Sequence, residues 1–166
     1  MHNEMATVVI ALGSNLQNRL EQLRQAKQFL HNLSETPIVV SAIYASEPIG
    51  PSEFEFLNAA IRIETQLSPD ELLAQLKTHE QAHGRSTRHP KWTARTIDLD
   101  IISYDHLVIE TDTLIIPHPE YTKRLFVLLP LKDVHPLWAD PITKKSIDAL
   151  VEEAPGMTIT QTDLSW

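Results

Sequence analysis

"FLNAAIRIETQLSPDELLAQLKTHEQAHG", residues 56–84, carries two structural signals back to back. Its first ten residues alternate as a strand does, with successive side chains falling on opposite faces. The second part is marked as a helix at both ends. Ser68 stands as N-cap, Pro69 at the first helical position, Glu71 where a capping box needs it, and Gly84 as the stop.

Upstream, "ATVVIALGSN" (6–15) reads as a strand closed by Gly13, after which Ser14 or Asn15 can cap a helix. Leu16, Leu20, Leu23, Lys27 and Leu30 keep helical spacing, which places an amphipathic helix over residues 16–32. "PIVVSAIYAS" (37–46) is β-branched and strand-like, and "EPIGPSEFE" (47–55) has the prolines and glycine of a loop. Downstream, Ile97, Leu99, Ile101 and Ile102 in "RTIDLDII" (95–102) mark a buried strand. The order over residues 7–104 is therefore β-α-β-β-α-β. That is the ferredoxin-like pattern, an α+β fold whose mainly antiparallel sheet has helices packed on it, here as one domain over residues 1–166. Beyond it the sequence predicts a hairpin through "YDHLVIETD" (104–112) and a short helix in "HPEYTKRLFVLLPL" (118–131) ended by Pro130. Another short helix, in "KKSIDALVEEAPG" (144–156), should stop at Pro155 and Gly156. Residues 131–166 carry no readable motif, and Trp138 and Trp166 read as packing residues.

With 166 residues, 42% hydrophobic and 22% charged, the chain is long enough for a real core and ordinary in composition. It has no cysteine, which excludes disulfides and thiolate metal sites and suits the cytoplasm. The N-terminal apolar run lacks a basic region before it and a small-residue cleavage site after it, so no signal peptide is expected. No apolar stretch approaches the roughly 20 residues that span a bilayer. A formal charge of −8 opposes general binding to nucleic acid or anionic membranes. The charge is unevenly placed, however. Between Glu80 and Asp98 there is no acidic residue, while Arg85, Arg88, Lys91 and Arg95 all fall there, a pattern suited to a small polyanion.

Two carboxylates on the strand raise the chemical question. Asp98 and Asp100 are two apart and share a face, with Cα atoms roughly 6.5–7 Å apart. Like charges so placed repel unless a cation lies between them, and hard divalent ions suit the gap. A solvated strand face with two incidental aspartates is the alternative, since D-x-D is a short motif. The basic loop "GRSTRHPKWTAR" (84–95) reads either as a clamp on phosphates or as a solvated loop. Its direct run into the D-x-D strand and its Trp92 favour the clamp. "GSN" (13–15) is explained by a turn and a cap. Most of the eight histidines read as surface groups, with His118 kept as a phosphate contact.

Five stretches together resemble the 6-hydroxymethyl-7,8-dihydropterin pyrophosphokinase family: "ALGSN" (11–15), "EPIGPSEFEFLNAA" (47–60), "HGR" (83–85), "WTARTIDLDI" (92–101) and "IPHPEYTKRLF" (116–126). The resemblance implies transfer of the terminal pyrophosphate of ATP, as co-substrate, to the hydroxymethyl group of a reduced pterin, with release of AMP. It also implies two Mg²⁺ ions and a ferredoxin-like core with mobile loops. Asp98 and Asp100 match the magnesium ligands, and Arg85 and Arg95 the arginines that engage the triphosphate. Glu80, Arg88, Lys91, Trp92, Ile101, His118 and Arg124 fall at ATP-site positions. Phe56 and Phe126 match the aromatic pair around the pterin, and Ser46, Pro48, Ile49, Asn58, Trp92 and Asp98 match further pterin-site positions. The expected partners are ATP and a reduced pterin, with no nucleic acid and no membrane, and the expected state is a monomer in the cytoplasm. Thr87, Thr93-Ala94 and Pro119 depart from the family's pattern and bear on loop motion and ATP affinity. A catalytically weak nucleotide-binding paralogue and a two-metal phosphohydrolase are the rival readings.

Overall fold

The computed structural model describes residues 4–15, 18–47, 55–83 and 97–166. Strand β1 (Ala6–Ser14) leads to helix α1 (Arg19–Leu33), then to strands β2 (Val39–Val40), β3 (Tyr44–Ser46) and β4 (Phe56–Thr65). Helix α2 (Pro69–Ala82) and strand β5 (Asp98–Tyr104) complete the βαββαβ unit. The sheet runs β5-β1-β4-β3, with β2 also on β4, and every pairing is antiparallel. The tail adds strand β8 (Ile159–Gln161) beyond β3.

Local chemistry explains the well-marked elements. Ser68 Oγ accepts from the Glu71 N–H at 3.2 Å, and Glu71 Oε1 accepts from the Ser68 N–H at 2.9 Å, so both halves of the capping box close on α2. Gly84, its expected stop, lies outside the described residues. Helix α1 starts later than its spacing predicts. Ser14 stays in β1, and Asn18 precedes the helix in a left-handed conformation, φ 65°, with no side-chain cap. The expected single strand over 37–46 is two pieces, because Ser41 substitutes for the ladder. Its Oγ accepts from the Ala60 N–H at 2.8 Å and donates to the Ala42 carbonyl at 2.6 Å.

Alternation sends the strands' side chains to two apolar layers. Val8, Ile10, Leu12, Ile61 and Ile63 pack with Leu23 and Leu30 of α1 and Leu72 and Leu76 of α2. Val9, Ala60 and Ile102 pack on the other side, against helices α3 (Leu125–Val134) and α4 (Ile147–Glu153). Trp138 is buried in this second layer, and its indole N–H donates to Tyr121 Oη at 3.3 Å. Trp166 packs on the first layer and donates to the Ser41 carbonyl at 2.8 Å.

Two expectations fail. Pro130 does not end its helix but lies inside α3, which continues to Val134. An interior proline costs about 3 kcal/mol. Burying Leu128, Leu131 and Val134 contributes roughly 1.5–3 kcal/mol each, enough to carry the helix through. The hairpin is also displaced. Strand β6 (Ile109–Glu110) turns back on β7 (Ile115–Ile116), not on β5, and forms a separate two-stranded sheet. Thr111 closes that turn, its Oγ1 accepting from the Leu114 N–H and its own N–H bonding the Leu114 carbonyl.

Candidate active site

The second layer does not cover the whole sheet face. At one end, where α3 begins, it leaves a cavity of about 250 Å³ lined by Gly13, Ser46, Phe56, Asn58, Asp98, Asp100, Arg124 and Phe126, with Ala11, Leu12 and Val127. Register accounts for this assembly. Gly13 pairs with Asn58 on one side and Asp98 on the other, Ala11 pairs with Asp100, and Ser46 pairs with Phe56. One row of paired strands thus spans an amide, a glycine and a carboxylate.

Asn58 is 3% exposed, and its amide N–H donates to Ser46 Oγ at 2.8 Å, which fixes the amide's orientation. A buried, pre-oriented amide favours a ligand with a complementary donor–acceptor edge and penalises one without it. Phe56 and Phe126 supply flat apolar walls suited to a ring. The Arg124 guanidinium lies 5.7 Å from the Phe126 centroid, a cation–π contact that places a positive charge at the cavity wall.

Asp98 and Asp100 both face this cavity from β5. Among the described residues, no group of three or more His, Cys, Asp or Glu side chains could hold a metal ion. Two carboxylates on one strand face are nevertheless a hard oxygen donor set. Mg²⁺ binds through one or two carboxylates plus waters and substrate phosphates, so these residues fit it. Behind the strand, Glu80 of α2 is 4% exposed, and its Oε2 accepts from the Leu99 N–H at 2.7 Å. That peptide N–H lies between the two aspartates on an edge strand. Glu80 is not among the described residues that line either cavity, and its contact with the strand is the Leu99 N–H.

A second cavity, about 300 Å³, adjoins the first through Asp100. It is lined by Leu73 and Lys77 of α2, Leu99 and Ile101 of β5, the 111–115 turn, His118 and Pro119. His118 Nδ1 accepts from the Glu120 N–H at 3.2 Å, so a neutral ring carries its proton on Nε2. Burial lowers the His118 pKa, Asp100 opposing and Arg124 adding to the effect, which keeps the ring a neutral donor at pH 7.

Of the sequence-predicted site residues, Ser46, Phe56, Asn58, Asp98, Asp100, Arg124 and Phe126 meet in the first cavity, and Ile101 and His118 in the second. Pro48, Ile49, Arg85, Arg88, Lys91, Trp92 and Arg95 lie outside the described residues, as do Thr87, Thr93 and Ala94. Sequence reasoning missed Leu73, Lys77 and the 111–115 turn, whose residues are unremarkable until the β6–β7 hairpin brings them beside Asp100. It also misplaced "GSN": Gly13 and Ser14 are strand residues, not a turn and cap. Most histidines read as surface groups, but His79 is buried, with Phe29 and His83 stacked on it at ring-centroid distances of 4.4 and 4.1 Å.

Fold and site together define a class: a ferredoxin-like protein in which Asp100 joins a pocket walled by two phenylalanines and a buried amide to a second cavity. A model of the 7,8-dihydro-6-hydroxymethylpterin-pyrophosphokinase (HPPK) family matches residues 9–136. The chain is 45% identical over 127 residues to the 2-amino-4-hydroxy-6-hydroxymethyldihydropteridine pyrophosphokinase of Bacillus subtilis, covering 75% of each protein. It is 42% identical over 132 residues to that of Haemophilus influenzae, covering 78% of this chain and 82% of the relative. A solved Plasmodium falciparum HPPK-DHPS superposes with a TM-score of 0.71 at 16% identity, over 92% of this chain. The chain spans 44% of that solved protein, and the likeness concerns the fold alone. The chain belongs to the 7,8-dihydro-6-hydroxymethylpterin-pyrophosphokinase family.

Proposed function

We infer that the protein transfers the terminal pyrophosphate of ATP to the hydroxymethyl group of 6-hydroxymethyl-7,8-dihydropterin, releasing AMP, as a step of folate biosynthesis. The observation that carries this reading is that Asp100 lines both a ring pocket, where Asp98 stands beside it, and a second cavity, on a chain of this family. The pterin occupies the first cavity, its amide edge on Asn58 and its faces on Phe56 and Phe126. ATP occupies the second, with its phosphates running toward Asp100. His118 Nε2–H and the Arg124 guanidinium donate to phosphate oxygens.

The pterin hydroxyl attacks the β-phosphorus in line. The new bond joins that oxygen to the β-phosphorus, the bond to the α,β-bridging oxygen breaks, AMP leaves with that bridging oxygen, and the hydroxyl proton is released to solvent. A loose transition state needs little covalent help, so positioning and neutralisation of charge carry the catalysis. Asp98 and Asp100 would hold two Mg²⁺ ions, which would supply charge neutralisation to the phosphates when bound. Arg85 and Arg95 are the catalytic cations, with Arg88, Lys91 and Trp92 as further nucleotide contacts and Pro48 and Ile49 as pterin contacts. Glu80 serves the same site from behind by holding the strand that bears the acidic pair.

The chain acts as one domain over residues 1–166, as a monomer in the cytoplasm, without nucleic acid or membrane partners. The net charge of −8 and the confinement of the basic cluster to residues 85–95 support the absence of nucleic acid and anionic membrane partners. No helix among the described residues is long and apolar enough to cross a membrane. Chromatography of a reaction with Mg²⁺, ATP and the pterin tests the function, with one AMP expected per pterin converted. ATP loss that does not require pterin favours a hydrolase, and tight ATP binding without product favours the inactive paralogue.

A further inference from the structure

Gly13 is expensive where it stands. Glycine inside a strand costs roughly 0.5–1 kcal/mol relative to alanine, so its presence there needs a cause. Backbone conformation does not supply one, because the Gly13 φ is not in the left-handed region. Crowding does not either. A Cβ at Gly13 would meet Asn58 Oδ1 at 3.8 Å and Phe56 Cδ1 at 4.0 Å, both ordinary contacts. Among the described residues there is room for a methyl group that the sequence leaves out. That room opens into the first cavity, which Gly13 lines.

Its position in the sheet says what the space is for. Gly13 pairs with Asn58 across one ladder and with Asp98 across the other. Two interstrand spacings separate Asn58 from Asp98, roughly 9.5 Å. That is about the span of a bicyclic ring carrying a hydroxymethyl arm. A ligand with its amide edge on Asn58 and its hydroxyl at Asp98 must cross β1 at Gly13.

We propose that Gly13 is a specificity-determining residue: its missing side chain leaves the floor of the cleft open to the second ring of a bicyclic substrate between Asn58 and Asp98. This rests on the assignment of the first cavity to the pterin. A methyl there fills the path of the second ring and meets Asn58 Oδ1 only at ordinary van der Waals distance, 3.8 Å, without displacing the amide. The discrimination it controls is bicyclic against monocyclic, not amide against no amide.

Gly13→Ala separates this role from a structural one. The variant is expected to unfold at a temperature equal to or above that of the wild type and to keep its affinity for a Mg-bound, non-hydrolysable ATP analogue. Its affinity for 6-hydroxymethyl-7,8-dihydropterin should fall at least tenfold. A monocyclic 2-aminopyrimidin-4-one, presenting the same amide edge without the second ring, should bind both proteins within about twofold of each other. Gly13→Val should deepen the pterin loss without reaching the nucleotide. Unchanged pterin affinity in Gly13→Ala overturns the proposal, as does an equal loss of pterin, monocycle and nucleotide with a lowered unfolding temperature. Failure of the underlying assignment looks different: the wild-type protein itself would bind no pterin in the presence of the Mg-bound analogue.

Discussion

Truncating Glu80 should damage metal binding although it is not among the described residues that line either cavity. Its Oε2 accepts from the Leu99 N–H at 2.7 Å, a charge-assisted bond to the peptide between the two aspartates. Leu99 is buried, so Glu80→Ala leaves that N–H without its partner and out of reach of water. Hydrogen bonds to charged groups contribute about 1.5–3 kcal/mol, and relief from desolvating the carboxylate offsets part of the loss. A net destabilisation of about 2 kcal/mol follows, or a fall in Tm of roughly 4–8 °C for a chain of this size. Glu80→Gln keeps an acceptor oxygen and should cost about half as much. The functional effect comes from β5, whose edge loses its tie to α2. A displacement of about 1 Å in a reacting group costs on the order of a hundredfold in rate, so kcat should fall about tenfold or more in Glu80→Ala. Thermal denaturation, calorimetric titration of the Mg-bound ATP analogue and AMP release read the three effects. Wild-type Tm and metal-dependent affinity in Glu80→Ala would refute this role. So would a Glu80→Gln variant as impaired as Glu80→Ala, since the charge and not the acceptor would then matter.

Three other outcomes follow from the same structure. Asp98→Asn and Asp100→Asn should each fold normally and lose Mg-dependent nucleotide affinity and nearly all turnover; normal values in both by calorimetry and product assay would remove the metal assignment. Asn58→Leu should raise the KM for pterin at least tenfold with little change in the KM for ATP, whereas equal effects on both substrates would argue against an amide that reads the ring. His79 gives a pH signature, because burial, with His83 adding to it, pushes its pKa down to about 4 in the folded protein. The unfolded chain therefore takes up a proton first as pH falls below about 6.5, and stability present above that value is lost between about 6.5 and 4. Urea unfolding should show about 2 kcal/mol of this loss between pH 8 and pH 5 in the wild type, and a flatter profile in His79→Phe. Parallel profiles for the two proteins would contradict it.

How much of this was legible in the sequence depended on whether the information was local. The capping box at Ser68 and the alternation of β4 and β5 involve neighbours in the chain, and they read correctly. Pro130 was misread because its helix is kept by burial in a layer that only the folded chain assembles. The Ser41 interruption depends on the Ala60 N–H, a partner 19 residues away. In the site, the acidic pair stood out by type and spacing, whereas the aromatic pair and the amide were assigned only through the resemblance to the family. Gly13 did not stand out, because "GSN" looks like a turn until the register shows it flanked by Asn58 and Asp98. Lys77 and the 111–115 turn were invisible for the related reason that their role is set by where the β6–β7 hairpin folds.

The central claim is that attack falls on the β-phosphorus, and the fate of that atom decides it. With Mg²⁺, the pterin and ATP labelled at the β-phosphorus, the label should leave the nucleotide entirely and appear in the pterin diphosphate, with unlabelled AMP as the other product. Label retained in ADP, or released as inorganic pyrophosphate without pterin, would contradict the account.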